Sequence, residues 1–500
     1  MVLSALTCPT AAPPADGFPD TAAHRRVHGL SSKTRVYLVP VLGSALSVHQ
    51  AGVDRLLESY RSIPATSAVR LAKPTSNLFR ARTKRDAPGL DTSGLTGVLG
   101  VDPETRTADV AGMCTYADLV AATLPYGLSP LVVPQLKTIT LGGAVSGLGI
   151  ESASFRNGLP HESVLEMDIL TGAGELLTAS RTQHADLFRA FPNSYGTLGY
   201  STRLRIELEP VAPFVALRHI RFHALADLIA AAERIIDTGG HAGTPVDYLD
   251  GVVFSADESY LCVGRRTTTP GPVSDYTGQH IYYQSMRHDS PGDEPTKDDR
   301  LTIHDYFWRW DTDWFWCSRA FGVQNPRVRR WWPRRYRRSS VYSKLVSLDR
   351  RLRISDRIEA RNGRPPRERV VQDVELPVER TFEFLEWFLE TVPITPIWLC
   401  PLRLRDHDGW PLYPMRPDHT YVNVGFWSSV PAGATEGATN RLIEAKVSEL
   451  DGHKSLYSDS FYTREEFDEL YGGEAYNTVK KTYDPDSRLL DLYAKAVQRR

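Results

Sequence analysis

The chain has 500 residues, enough for two to four domains with large buried cores. Its formal net charge of −1 gives no global attraction to nucleic acid. Cys8, Cys114, Cys262, Cys317 and Cys400 are scattered and lack CxxC or Cys/His spacing, which argues against a disulfide framework or structural zinc and for a reducing compartment.

Residues 1–26 are rich in Ala, Pro and Thr, lack the cationic start and apolar core of a signal peptide, and read as a flexible tail. No apolar run of about eighteen residues follows anywhere, so no transmembrane helix is expected. Leu46, Val53, Leu56, Leu57 and Tyr60 predict a helix over 44–62. A short strand, 68–71, leads into Lys73-Pro74-Thr75-Ser76-Asn77-Leu78-Phe79. Segments 95–101 and 107–110 read as paired strands, and 116–124 as a helix entered through Thr115.

The run from Thr140 to Ser152, TLGGAVSGLGIES, carries the strongest signal. Gly142, Gly143, Gly147 and Gly149 let backbone approach a ligand closely, and successive amides in such a loop form a nest for pyrophosphate oxygens. It is not a Walker loop, because no Gly-Lys-Ser/Thr follows, and no GxGxxG stands between a strand and a helix. The bland reading is a tight structural loop. Next come a hairpin, 164–170 with 175–179, and an alternating strand, 202–208. These elements make one α+β domain over 27–209. After Pro210-Val211-Ala212-Pro213 the pattern restarts with strand 217–222, helix 225–238 and strands 248–254 and 260–263. Helix 378–390 and strands 395–400 and 420–426 continue a second domain, 214–456, which leaves 457–500 as a C-terminal segment returning to the first.

Within the second domain, residues 304–340 stand apart. Trp308, Trp310, Trp314, Trp316, Trp331 and Trp332 are followed by or interleaved with Arg327, Arg329, Arg330, Arg334, Arg335, Arg337 and Arg338. Indole at headgroup level with guanidinium on lipid phosphate fits a membrane interface. The same composition could stack on nucleic acid, or form a basic surface beside a buried aromatic cluster. The balanced charge disfavours nucleic acid, and Trp331, Trp332, Arg329, Arg330, Arg334 and Arg335 are expected to face an anionic membrane.

The Gly-rich run, the later Tyr195-Gly196-Thr197-Leu198-Gly199 and the strand after it resemble the FAD domain of the FAD-linked oxidase superfamily, the vanillyl-alcohol-oxidase type. The resemblance implies an α+β fold: a two-subdomain FAD-binding domain plus an antiparallel-sheet substrate cap. It implies flavin contacts from Pro134, Thr138, Thr140, Leu141, Gly142, Gly143, Ala144, Ser146, Gly147, Gly149, Ile150, Glu151 and Ser152. Ser154, Gly158, Gly199 and Ile206 complete the implied set, with Thr75, Ser76 and Asn77 in place of the usual first glycine-rich segment. Ile150 and Glu151 stand where many relatives carry a flavin-linking histidine, which implies non-covalent FAD.

Pro396-Ile397-Trp398-Leu399-Cys400-Pro401, Tyr421-Val422-Asn423-Val424-Gly425 and Tyr457 to Phe467 are similar to segments of delta-24 sterol reductases. So are Gly149-Ile150-Glu151-Ser152 and Tyr248-Leu249-Asp250-Gly251; the likeness runs over about residues 45–495. Those enzymes carry an N-terminal membrane helix that is not found here, and they differ around the arginine cluster. The Arg-, Ala- and Asp-rich composition points to a high-GC actinobacterium. Similar flavoproteins there reduce a 10-methylene group on phospholipid acyl chains to a 10-methyl branch, as in tuberculostearic acid synthesis. The resemblance thus implies NADPH or NADH as electron source, a fatty-acid methyltransferase in the same pathway, and a cytoplasmic site on the inner membrane face.

An isolated alkene has no carbonyl to take a hydride, so reduction calls for a strong, well-placed acid in a dry pocket. Glu151, Asp459, Tyr462 and His304 are the candidate acids, and Tyr421 and Asn423, alternating on one strand face, are candidate pocket walls. Each has a structural alternative: a backbone bond, a core turn, a structural histidine, sheet pairing. A sterol substrate, an alcohol or sugar oxidase, and a non-catalytic lipid binder that keeps FAD as a relic are the competing functions.

Overall fold

The computed structural model describes residues 42–73, 79–80, 89–289, 295–352 and 354–499. The tail assigned to 1–26 and the Thr75, Ser76 and Asn77 site lie outside the described residues. The helix expected first runs Leu42–Ser62. The strand expected at 68–71 is only a single parallel bridge, Leu71 to Leu90.

Six strands build the first sheet: β1 (Val98–Asp102), β2 (Thr107–Ala111), β3 (Leu128–Pro130), β4 (Val164–Leu170), β5 (Leu176–Ser180) and β6 (Tyr200–Pro210). Their order is β1-β2-β6-β4-β5, with β3 also on β6, and every pair is antiparallel. Alternation in β6 explains its place at the centre: Leu204, Ile206 and Leu208 are buried, while Arg203 and Arg205 point the other way. Helix Tyr116–Thr123 begins where Thr115 accepts a hydrogen bond from the Asp118 amide.

The chain then forms β7 (Phe214–Phe222), a small hairpin of β8 (Gly240–His241) and β9 (Thr244–Pro245), β10 (Tyr248–Ser255), β11 (Glu258–Thr267), β12 (Thr296–Thr302), β13 (Arg367–Pro377), β14 (Ile397–Arg403), β15 (Thr420–Pro431) and β16 (His453–Lys454). All but the hairpin join one eight-stranded antiparallel sheet, ordered β12-β7-β11-β10-β14-β15-β13-β16. Its two faces have different partners. Leu249, Val253, Leu399, Val422, Val424, Phe426, Val374 and Leu376 meet helices Leu225–Thr238, Val378–Thr391 and Ala438–Glu449 in one core. Each fully buried Leu, Val or Phe there is worth about 1.5–3 kcal/mol of apolar burial. The opposite face, with Tyr248, Val252, Trp398, Cys400, Tyr421 and Trp427, shares a core with the first sheet and the aromatic segment.

The tryptophan-rich stretch is the interlayer between the two sheets. Trp308, Trp310, Trp314 and Trp316 are buried, so four of the six tryptophans grouped for a membrane are core. Arg329 is a correction as well: it is fully buried, pairs with Asp313 at 2.7 Å and donates to the Gly278 carbonyl at 2.8 Å. Arg337 is buried on the Thr277, Gly278 and Trp332 carbonyls. The exposed residue set is Arg327, Val328, Arg330, Trp331, Arg334, Arg335, Tyr336 and Arg338, with Trp331 83% exposed and Trp332 half-buried. Among the described residues no helix is long and apolar enough to cross a membrane.

Candidate active site

A cleft of about 990 Å³ opens between the first sheet's Gly-rich segment and the cap sheet. The Gly-rich run is not the loop expected from its glycines. Leu141–Gly147 is a short helix, with Thr140 as cap: its Oγ1 accepts from the Gly143 amide at 3.2 Å. The Leu141 amide donates to the Cys114 carbonyl and the Gly142 amide to the Gly112 carbonyl, so these amides do not form the expected pyrophosphate nest.

The glycines serve close packing instead. A side chain at Gly142 would strike the Gly112 carbonyl and Ser201, while one at Gly147 would press on the Tyr195 ring and one at Gly149 on the rings of Pro134 and Pro160. Gly143 differs: its nearest neighbours are the Thr140 hydroxyl and the Lys73 ammonium, and Lys73 donates to Thr140 Oγ1 at 2.9 Å.

Pro134, Thr138, Thr140, Gly142, Gly143, Ala144, Ser146, Gly147, Gly149, Ile150 and Gly199 line the cleft. Leu141, Ser152, Ser154, Gly158 and Ile206 do not. Leu141 and Ile206 are core, Ser152 Oγ lies 2.8 Å from the Tyr306 hydroxyl, and Ser154 Oγ accepts from the Glu151 amide. A side chain at Gly158, where φ is +69°, would run into Glu162.

The facing wall is aromatic. Phe79 stacks on Trp314 with centroids 5.2 Å apart, and Phe315 stacks on Trp427 at 4.2 Å and meets Trp398 at 5.4 Å. All five line the cleft together with Tyr457. Leu148, Tyr195, Trp314 and Phe315 also hold left-handed backbone, φ +49° to +58°, which costs a bulky residue about 1–3 kcal/mol.

The candidate acids are not brought together there. Glu151 is buried in a charge network: Arg309 Nη1 reaches its Oε1 at 2.9 Å, and Arg309 Nη2 reaches Asp250 Oδ2 at the same distance. Burial raises the Glu151 carboxyl while Arg309 opposes the shift, and the group ties the Gly-rich segment to β10 outside the cleft lining. Tyr462 is buried against Tyr471, and burial holds its phenol well above the ordinary value. Asp459 lies 3.6 Å from Arg499, and His304 is half exposed beside Asp305. Tyr421 accepts from the Arg416 amide at 3.1 Å, away from the cleft.

Asn423 leads to the residue that sequence reasoning missed. Its Nδ2 donates to Asp373 Oδ1 at 3.3 Å, and Asp373 opens onto the cleft. Tyr457 also hydrogen-bonds this carboxyl, while Trp427 Nε1 donates to the Tyr457 hydroxyl at 2.9 Å. Enclosure raises Asp373 to about 7 and its strand neighbour Glu375 to about 8. Glu375 lies behind, bonded to Tyr413 and, at 3.0 Å, to Ser455. Only Asp373-Val374-Glu375-Leu376 alternates polar and apolar, too short a signal to mark β13.

The residues present fit a flavin dinucleotide. Hydroxyls of Thr138, Thr140, Ser146 and Ser201 with Lys73 and Lys495 supply donors and cations for a diphosphate, and the aromatic wall suits a planar ring. The cleft lining contains no histidine among the described residues. Its one thiol, Cys317, is pushed up to about 12 by burial, so thiolate is scarce.

One antiparallel half facing an antiparallel cap across a cleft is the arrangement expected of a two-domain α+β FAD-binding fold. Residues 68–180 match the family described as FAD binding domain. The chain is similar to the Delta(24)-sterol reductase of Rattus norvegicus, 25% identical over 412 residues, 80% of this chain and 76% of the relative. It is also 25% identical to that of Arabidopsis thaliana over 449 residues, 81% and 76% of the two chains. Cytokinin dehydrogenase 2 of Oryza sativa subsp. japonica is 38% identical over 162 residues, but these cover 31% of this chain and 28% of that one. The sterol-reductase likeness therefore spans both halves of the fold, while the dehydrogenase likeness covers a third of the chain.

Proposed function

We propose that this protein is an FAD-dependent reductase of an isolated alkene in a membrane lipid, with the 10-methylene group of phospholipid acyl chains as substrate. The observation that carries the reading is the cleft wall: Phe79, Trp314, Phe315, Trp398 and Trp427 line it with one carboxyl among the described residues, Asp373, and such an aromatic wall would keep water from a cation at carbon. The long likeness to reductases of a sterol alkene supports the same reaction kind.

Thr138, Thr140, Ser146, Ser201, Lys73 and Lys495 would hold the FAD. When bound, the flavin supplies hydride after reduction by NADPH or NADH. The chain's own part is to seat the alkene against the aromatic wall, keep it dry and provide a proton. A fatty-acid methyltransferase would install the methylene beforehand. The exposed Trp331 and arginine patch would rest on the inner, anionic face of the cell membrane.

The test is anaerobic. Protein reduced with NADPH is mixed with vesicles containing 10-methylene-acyl phospholipid in heavy water. Expected are return of the yellow flavin spectrum and one deuterium in the new methyl group. Reoxidation by a sterol alkene but not by the methylene lipid would favour the sterol reading, which the relatives' names motivate. Bleaching of the oxidised protein by a polar alcohol would replace the proposal with an oxidase.

A further inference from the structure

We propose that Asp373 is the proton donor to the alkene, positioned by Asn423, Tyr457 and Trp427 and given room by Gly425. This rests on the alkene-reductase reading above. The cleft lining among the described residues contains one carboxyl, Asp373, and no histidine. Its other acids are poor donors at neutral pH: burial raises Tyr195 and Tyr200 beyond the ordinary phenol range, Tyr457 well above it, and Cys317 to about 12. The carboxyl of Asp373 is held close to neutrality by enclosure, so it carries a proton and can release it.

The surroundings suit a proton that leaves. Asn423 Nδ2 and the Tyr457 hydroxyl both donate to the carboxyl, and Tyr457 is itself fixed by Trp427 Nε1. These fixed donors stabilise the carboxylate left behind without reorganising. In the sheet register Gly425 lies opposite Asp373, and a side chain there would meet Asp373 Oδ1 and the Trp427 ring. The absence of a side chain at residue 425 is therefore what lets the carboxyl occupy this place. The titratable groups facing it are Glu375 on its own strand, Tyr457 from the C-terminal segment, Tyr195 from the flavin half with Arg80 over its ring, and Cys400 on β14.

The step balances. The Asp373 O–H bond breaks as a C–H bond forms at the terminal alkene carbon, whose π electrons leave a tertiary cation at the branch carbon. That carbon takes hydride from the reduced flavin, which is oxidised. Asp373 regains its proton from solvent, and the nicotinamide cofactor returns two electrons and a proton to the flavin.

The experiment uses Asp373→Asn and Gly425→Ala as purified holoprotein. For Asp373→Asn, FAD content and the rate of flavin reduction by NADPH should stay within about twofold of wild type. Reoxidation by methylene-lipid vesicles should slow by ~10²–10⁴-fold, the usual contribution of a general acid. Wild-type reoxidation should fall as pH rises through about 7, and the variant should lose that limb. Infrared spectra of wild type between pH 5 and 9 should contain protonated-carboxyl absorption from Asp373 and Glu375 that disappears in this range, and Asp373→Asn should lose the component with its midpoint at about 7. Gly425→Ala should keep FAD but slow reoxidation and move the pH midpoint. Reoxidation of Asp373→Asn at the wild-type rate, or an unchanged infrared band, overturns the proposal and leaves the reductase reading standing. If wild type reduces neither the methylene lipid nor a sterol alkene, the reading and the proposal fall together.

Discussion

Arg309 and Asp373 illustrate two uses of buried charge. Arg309 is completely enclosed between Glu151 and Asp250, and Trp310 and Trp398 donate to the same Asp250 oxygen at 3.3 and 3.2 Å. Removing one partner of such a network strands the others, which costs about 3–5 kcal/mol. Arg309→Met should therefore lower the free energy of unfolding, measured in urea, by that amount. Asp373 and Glu375 give the opposite signature. Their folded values, about 7 and about 8, exceed those of the unfolded chain, so the folded state keeps protons that the unfolded chain has released. Their stability contribution is full below about pH 4 and is lost as pH rises through 7 and then 8. Asp373→Asn should raise the melting temperature relative to wild type at pH 8.5 and leave it unchanged near pH 4.

At the scale of elements, the helix Pro326–Trp331 and the turn after it separate structural from exposed arginines. Arg329 points inward to Asp313, while Arg327 and Arg330 on the same helix point outward with Val328 and Trp331. Near an anionic leaflet each basic residue contributes about 1 kcal/mol. Replacing Arg327, Arg330, Arg334 and Arg335 with Ser should weaken vesicle co-sedimentation by ~10²–10³-fold without loss of FAD, and added salt should weaken the wild type in the same direction. Unchanged, salt-insensitive sedimentation would remove the membrane role of this helix. Arg329→Ser should instead unfold the segment, since it leaves Asp313 buried without its cation.

Legibility followed periodicity. Strands β4 and β6 and helices Leu225–Thr238 and Val378–Thr391 could be read because their apolar positions repeat with one face buried, and β10 and β15 because they are β-branched and aromatic runs buried on both faces. Strand β13 could not: Val370 and Val371 adjoin, Gln372 and Asp373 adjoin, and Asp373 and Glu375 place acids on the face toward the cleft. The Gly-rich run reads as a loop because glycine disfavours helix, yet the Thr140 cap and packing too tight for side chains make it helical. Burial of the tryptophans was hidden for a related reason: short 3₁₀ turns such as Asp311–Asp313 and Cys317–Phe321 have no amphipathic repeat. The Glu151, Asp459 and Tyr462 assignments came from resemblance, which identifies shared segments but does not say which side chains meet in space.

For the whole molecule, the cleft determines how the cofactor is held. With no histidine among the described residues of its lining and Cys317 kept as a thiol, denaturation should release free FAD into the supernatant, and flavin left on precipitated protein would contradict this. Gly143→Glu should yield a colourless protein, because a carboxylate would enter beside Thr140 and Lys73 where a diphosphate is expected.

The closure of the fold has a further consequence, in time. The amides of Phe79 and Arg80 both donate to the Tyr457 carbonyl, Arg80 Nη1 donates to Leu456, and the Val69 amide donates to the Arg488 carbonyl. Residues made early are thus locked by residues made much later, across more than 370 positions in the Arg80–Leu456 bond. A ribosome adds only about 5–20 residues per second and releases the chain from its amino end. The flavin half must therefore wait, with its cleft unfinished, until the final segment emerges. Nascent chains stalled at residue 440 should retain no flavin, whereas released full-length chains should acquire it.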